Sequence, residues 1–116
     1  MEKEELVDNL MQTLKEKLDG MADSNKGLNK KINICFEDID TGYLIHVGED
    51  GTVQQFDKKS LEEAKASPSD VAIYMTVDVI DGIMKKEINP MMAVMQGKIR
   101  IEGDMSVATK IASVFM

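Results

Sequence analysis

Few side chains in this 116-residue sequence could do chemistry, and their spacing limits each of them. His46 is the single histidine, and no second His, Cys or Ser is placed by a recognisable motif to complete a catalytic or metal-binding set. It reads as a structural or solvent-facing residue. Cys35 is the single cysteine, so an intramolecular disulfide is excluded, as is a CxxC or Cys/His cluster for zinc or iron-sulfur. It reads as an inert small side chain in a reducing, cytoplasmic setting. Glu37, Asp38 and Asp40 invite a calcium reading, but Gly42 stands where an EF-hand-like loop needs an oxygen ligand. A loop reaching Glu49 would also have to absorb a whole strand, so a solvated hairpin turn is expected. Gly97-Lys98 lacks the upstream glycine and the following Ser or Thr of a phosphate-cradling loop. No nucleophile, base and orienting group can be assembled. The expectation is a non-enzymatic protein with no catalytic residue, no metal and no cofactor.

Methionine is the residue type whose distribution stands out. Met75, Met84, Met91, Met92, Met95, Met105 and Met116 crowd the C-terminal part of the chain. Methionine is flexible and polarizable, so it fills irregular gaps and also suits surfaces that adapt to varied apolar partners. On composition alone both readings stand, core filling and a ligand cavity.

The elements that must position these residues follow from periodicity. Leu6, Val7, Leu10, Met11, Leu14 and Leu18 predict an amphipathic helix from Glu4 to about Met21. Ile32, Ile34 and Phe36 alternate with Lys31, Asn33, Cys35 and Glu37, giving a half-buried strand. Tyr43, Ile45 and Val47 alternate with Leu44 and His46 in a second, and the turn Gly48 to Gly51 leads to a third, more polar strand over Thr52 to Asp57. Ser60 with Glu63 forms a capping-box signature for a short helix ended by Ser67 and Pro68. Val71, Ile73, Met75 and Val77 oppose Ala72, Tyr74 and Thr76 in the fourth strand, after which Asp78 is expected to cap a helix carrying Val79, Ile80, Ile83 and Met84. Asn89 and Pro90 are the cap and first-turn pair of the next short helix, which Gly97 ends. A fifth strand over Lys98 to Glu102 and a terminal helix from Met105 close the chain. The first three strands form an antiparallel meander, and the helices are expected to cover one face of the sheet.

Bulk properties narrow the partners. At this length one domain over residues 1–116 is expected, with 43 % hydrophobic and 30 % charged residues giving a foldable core. The net charge of -7 and 4 % aromatic content disfavour nucleic acid. The acidity also limits membrane contact to something transient and locally hydrophobic. The N-terminal MEKEELVDNL is acidic where a secretory signal would be basic and then apolar, and no apolar run approaches membrane-spanning length. The C-terminal ASVFM does not match an SKL-type peroxisomal address.

The stretch NPMMAVMQGKIRIEGDMSVATKIASVFM resembles the C-terminal signature of the sterol carrier protein 2 family. Asn89, Pro90, Ala93, Gly97, Lys98, Ile99, Ile101, Gly103, Asp104 and Ala108 carry the likeness. VAIYMTVDVIDGIMKKEI resembles the family's fourth strand and following helix, and the order of the earlier elements agrees. Val94 and its flanking methionines replace an aromatic residue common in the family. The resemblance implies an α+β fold with a five-stranded, mainly antiparallel sheet, about five helices on one face, and an apolar tunnel for fatty acids, acyl-CoA, phospholipids or sterol-like molecules. A tunnel of ~300 to 1,000 Å³ would suit such a lipid or other elongated apolar ligand. The expected lining is Met75, Ile80, Ile83, Met84, Met91, Met92, Met95, Ile111, Val114 and Phe115, with the terminal helix as gate. The competing expectation is a non-catalytic interaction or dimerisation module, a homodimer with a filled core.

Overall fold

The computed structural model describes residues 2–114. It is an α+β fold built on a five-stranded mixed sheet. Helix α1 (Lys3–Gly20) buries Val7, Met11, Leu14 and Leu18, a stripe spaced by four, three and four that turns one side of the helix to the sheet. A single turn, α2 (Ala22–Asn25), leads to strand β1 (Lys30–Phe36). Ile32, Ile34 and Phe36 then join the main core while Asn33 and Cys35 face the other way.

Strand β2 (Thr41–Val47) pairs antiparallel with β1 across the turn at residues 37–40. Its return to β3 (Val53–Ser60) passes Gly51, whose φ is +86° and where a Cβ would lie 2.0 Å from the Ala22 carbonyl oxygen. Only glycine fits there. β3 runs three residues past the expected Asp57, because Lys58, Lys59 and Ser60 continue the ladder opposite Tyr43, Gly42 and Thr41. Polarity misled the sequence reading here: β3 is an edge strand, and exposed charges are how such edges resist further pairing.

The connection to β4 (Val71–Met75) carries α3 (Leu61–Ala66), whose first turn is capped as expected by the Ser60 hydroxyl accepting from the Glu63 N–H at 3.2 Å. α3 lies on the reverse face of the sheet, where Ala64 packs with Cys35 and Tyr74. Asn33 holds it there, donating from Nδ2 to the carbonyls of Ala64 and Ser67 at 3.0 Å each. Gly42 admits it, since a Cβ at that position would sit 2.3 Å from the Ala64 Cβ. The main helical layer is on the opposite face, as the strand alternation requires.

β4 pairs parallel with β1, completing the order β3-β2-β1-β4-β5 and leaving the other three pairings antiparallel. Helix α4 (Val77–Met84) follows with Thr76 at its N-cap position, and the Thr76 side chain makes no cap bond. The expected cap, Asp78, already lies within the first turn. The carboxylate of Asp38, from the β1–β2 turn, accepts from the Val77 N–H at 3.2 and 3.3 Å instead. One of the residues that suggested calcium is therefore a helix cap supplied from elsewhere in the chain.

Helix α5 (Pro90–Met95) starts as expected, with Asn89 Oδ1 accepting from the N–H groups of Met91 (2.9 Å) and Met92 (3.2 Å). Gly97, with φ +77°, turns the chain so that Lys98 N–H reaches the Ala93 carbonyl at 2.8 Å and Ile99 N–H the same oxygen at 3.3 Å. These bonds keep Lys98 and Ile99 in the helix end, so β5 is shorter than expected, Arg100–Gly103. Asp104 then caps α6 (Met105–Val114), its Oδ1 accepting from Ser106 N–H at 2.9 Å.

Candidate lipid-binding cleft

A cleft lies where α5 and α6 cover β4 and β5. The floor is the cross-strand pair Ile73 and Ile101, with Met75 and Ile99 beside it. One wall is α5, through Pro90, Met91 and Val94; the other is α6, through Met105, Ala108, Ile111 and Ala112, and Ile83 of α4 joins the lining. Small side chains at Ala108 and Ala112, one helical turn apart, leave the room that larger ones would fill. The space between atoms is ≈ 470 Å³ out to the open mouth, but only ≈ 40 Å³ of it can hold the centre of a water molecule. The site is a narrow crease, smaller than the ~300 to 1,000 Å³ of a ligand-filled pocket.

Its chemistry is uniform. No ionisable side chain lines it, and the one hydroxyl, Thr109, already donates to the Met105 carbonyl at 2.9 Å. Such a surface can desolvate an apolar chain but offers no proton, nucleophile or charge. The polar hollows elsewhere are wider and shallower; one, beside Asn29, His46 and Asp70, spans ≈ 440 Å³. His46 there meets Asn29 Oδ1 at 3.0 Å through Nε2. Cys35 is buried on the reverse face, where burial pushes its thiol up, away from the reactive thiolate. Among the described residues no group of three His, Cys, Asp or Glu converges in a way that could hold a metal ion.

Of the residues singled out from sequence, Met75, Ile83, Met91 and Ile111 meet in the cleft. Ile80 and Val114 are buried in the main core away from it, and Met84 is half-buried against that core. Met92 and Met95 do not line it: they project from the outer side of α5 into solvent. Phe115 lies outside the described residues. The structure adds Ile73, Pro90, Val94, Ile99, Ile101, Met105, Ala108, Thr109 and Ala112. Ile73 shares the strand phase of Met75 and pairs across the ladder with Ile101, so alternation alone could have found both. The two alanines carry no side-chain signal of their own.

The model of the SCP-2 sterol transfer family matches residues 7–116. The chain belongs to that family. SCP-2 proteins are lipid carriers. No curated protein sequence matches it. Among solved structures, sterol carrier protein 2 aligns with a TM-score of 0.67 at 10 % identity, over 92 % of this chain and 87 % of that one. Palmitated SCP2L2 from Aedes aegypti aligns at 0.59 and 19 % identity, over 90 % and 92 %. A double mutant of the sec-alkyl sulfatase PisA1 aligns at 0.71 and 20 % identity, covering 92 % of this chain, which spans only 16 % of the sulfatase. These likenesses are of fold. No helix among the described residues is long and apolar enough to cross a membrane.

Proposed function

We propose that this SCP-2 chain binds one elongated apolar ligand, the acyl chain of a fatty acid or phospholipid, in the cleft between β4–β5 and α5–α6. The observation that carries this is the lining itself, apolar but for the Thr109 hydroxyl and partly open to solvent, with Met91 and Met105 at its walls. The related mosquito protein solved in palmitated form supports the same ligand class. Each methylene taken from water contributes about 0.8 kcal/mol, so a dozen contribute roughly 10 kcal/mol before ordering costs. That is ample to part a crease whose atoms already leave room between them. α6 is the wall proposed to move, because Ala108 and Ala112 give it the smallest side chains of the lining. Because the lining holds no general acid, base or nucleophile, the role is carriage rather than catalysis, in the reducing cytoplasm that a free, buried Cys35 suits.

Denaturing extraction of the purified protein is expected to release acyl lipid detectable by mass spectrometry. Ala112→Phe, which fills the cleft from a half-exposed position, is expected to weaken a fluorescent fatty-acid probe about tenfold while the protein stays folded. Lipid-free preparations together with unchanged probe affinity in this variant would overturn the reading.

A further inference from the structure

The large apolar side chains left exposed are Met91 (42 %), Met92 (49 %), Met95 (79 %) and Met105 (51 %) among the described residues. They are not scattered. Three lie on α5 and the fourth opens α6, and Met91 and Met105 also line the cleft, so the patch is continuous with the cleft's mouth. Every other large apolar side chain among the described residues is at least partly buried, so a bare patch of this kind marks an interaction surface.

Charge around it points to the partner. The chain carries -7 overall, yet the segment from Met84 to Arg100 holds Lys85, Lys86, Lys98 and Arg100 against Glu87 alone. Lys85 is paired with Asp81 at 2.9 Å and Arg100 is shared between Glu37 and Glu102, both at 3.8 Å. Lys86 and Lys98 are exposed and form no ion pair among the described residues. Beside Met105 stand Glu102 and Asp104, which lie 3.8 Å from Arg100 and 3.9 Å from Lys30, so the unpaired charge of the patch is that of the two lysines flanking its α5 methionines. On an otherwise acidic molecule that α5 side complements an anionic membrane surface: apolar side chains enter the acyl boundary while the ammonium groups meet phosphates. The acidic remainder of the molecule is repelled, which orients the approach. Helix α1 buries Val7, Met11, Leu14 and Leu18 in the core and packs the half-buried Leu6 and Leu10 against it, leaving no fully exposed large apolar side chain on that helix.

We propose that the α5–α6 methionine patch docks on anionic phospholipid bilayers and sets the cleft mouth against the membrane, where the ligand enters and leaves. The docking surface stands on its own observations; its role in loading rests on the acyl-chain reading above. The test uses the full chain with phosphatidylcholine vesicles, with and without a minor fraction of phosphatidylglycerol. Flotation is expected with phosphatidylglycerol and is expected to weaken at high salt. Met92→Ser with Met95→Ser, both outside the cleft lining, should lower vesicle partition about tenfold with fatty-acid probe affinity in vesicle-free solution unchanged. Lys86→Glu with Lys98→Glu should remove the preference for phosphatidylglycerol while the melting temperature holds.

The outcomes separate. Flotation that depends on the methionine pair in a protein that takes up no probe upholds docking and overturns the acyl-chain reading. Probe binding with no flotation, or with flotation indifferent to both pairs of substitutions, overturns docking and leaves that reading intact. Self-association abolished by the methionine pair, without flotation, assigns the patch to a second copy of the chain and also overturns docking.

Discussion

Tyr43 shows how a single side chain can join two layers. Its ring packs edge-on against Phe36 at 6.0 Å and tilted against Phe56 at 5.7 Å, while its hydroxyl donates to the Asp8 carboxylate on α1. Lys58 completes the group, 2.9 Å from Asp8 and 2.8 Å from Glu4. These ion pairs are exposed and contribute little by themselves. Burial, and after it the bond to Asp8, pushes the Tyr43 hydroxyl well above its ordinary value. For Asp8, burial opposes ionisation, but the bonds from Tyr43 and Lys58 outweigh it and hold its carboxyl below the usual range. A raised folded-state pKa means that the tyrosine's contribution is complete below about pH 10, where the unfolded phenol begins to ionise, and is lost as pH rises beyond it. Tyr43→Phe keeps the ring contacts and removes the bond, so urea unfolding at neutral pH should show a loss of about 1–2 kcal/mol. That deficit should shrink above about pH 10, where wild-type stability falls more steeply. Equal alkaline slopes in the two proteins would refute the assignment.

At the scale of elements, caps explain both where the sequence was readable and where it was not. Asn89-Pro90, Ser60-x-x-Glu63 and Gly103-Asp104 are local signals, and each helix they announce begins where they stand. The cap of α4 is not local. Asp38 supplies it from the β1–β2 turn, so Asp38→Ala should cost about 1 kcal/mol in equilibrium unfolding, against less than about 0.5 kcal/mol for Asp78→Ala. The reverse order would restore the local reading. The cleft was half legible for a related reason. Periodicity assigns faces to strands well, which is why Met75 was found and Ile73 could have been. On α5 apolar residues point in every direction, so residue type could not separate Met91 at the cleft from Met92 and Met95 in water. The alanines of α6 matter by the volume they leave empty, which only the packed neighbours reveal. The side chosen by α3 was equally hidden, because it depends on Gly42 and Asn33 meeting Ala64 across the sheet.

For the whole molecule, binding in the cleft is linked to stability through the elements that form its walls. A long-chain fatty acid held at about 100 times its Kd should add roughly 2.7 kcal/mol, a rise in melting temperature on the order of 10 °C for a chain of this size. Hydrogen exchange should slow mainly in α5, β5 and α6, with β1, β2 and β3 little changed. Uniform protection, or protection confined to the meander, would place the ligand elsewhere.

The parallel pairing of β1 with β4 also divides the chain by the order in which it can fold. Phe36 meets Thr41 across one tight turn, but it meets Met75 only after β2, β3 and α3 have passed. Closing that long excursion is slow compared with forming a meander of neighbouring strands, since loop entropy is lost before the distant contact offsets it. The half of the molecule that closes late is the half that builds the cleft. Apolar side chains bound for the cleft, Met75 and those after it, therefore stay open to misplaced partners until β4 finds β1.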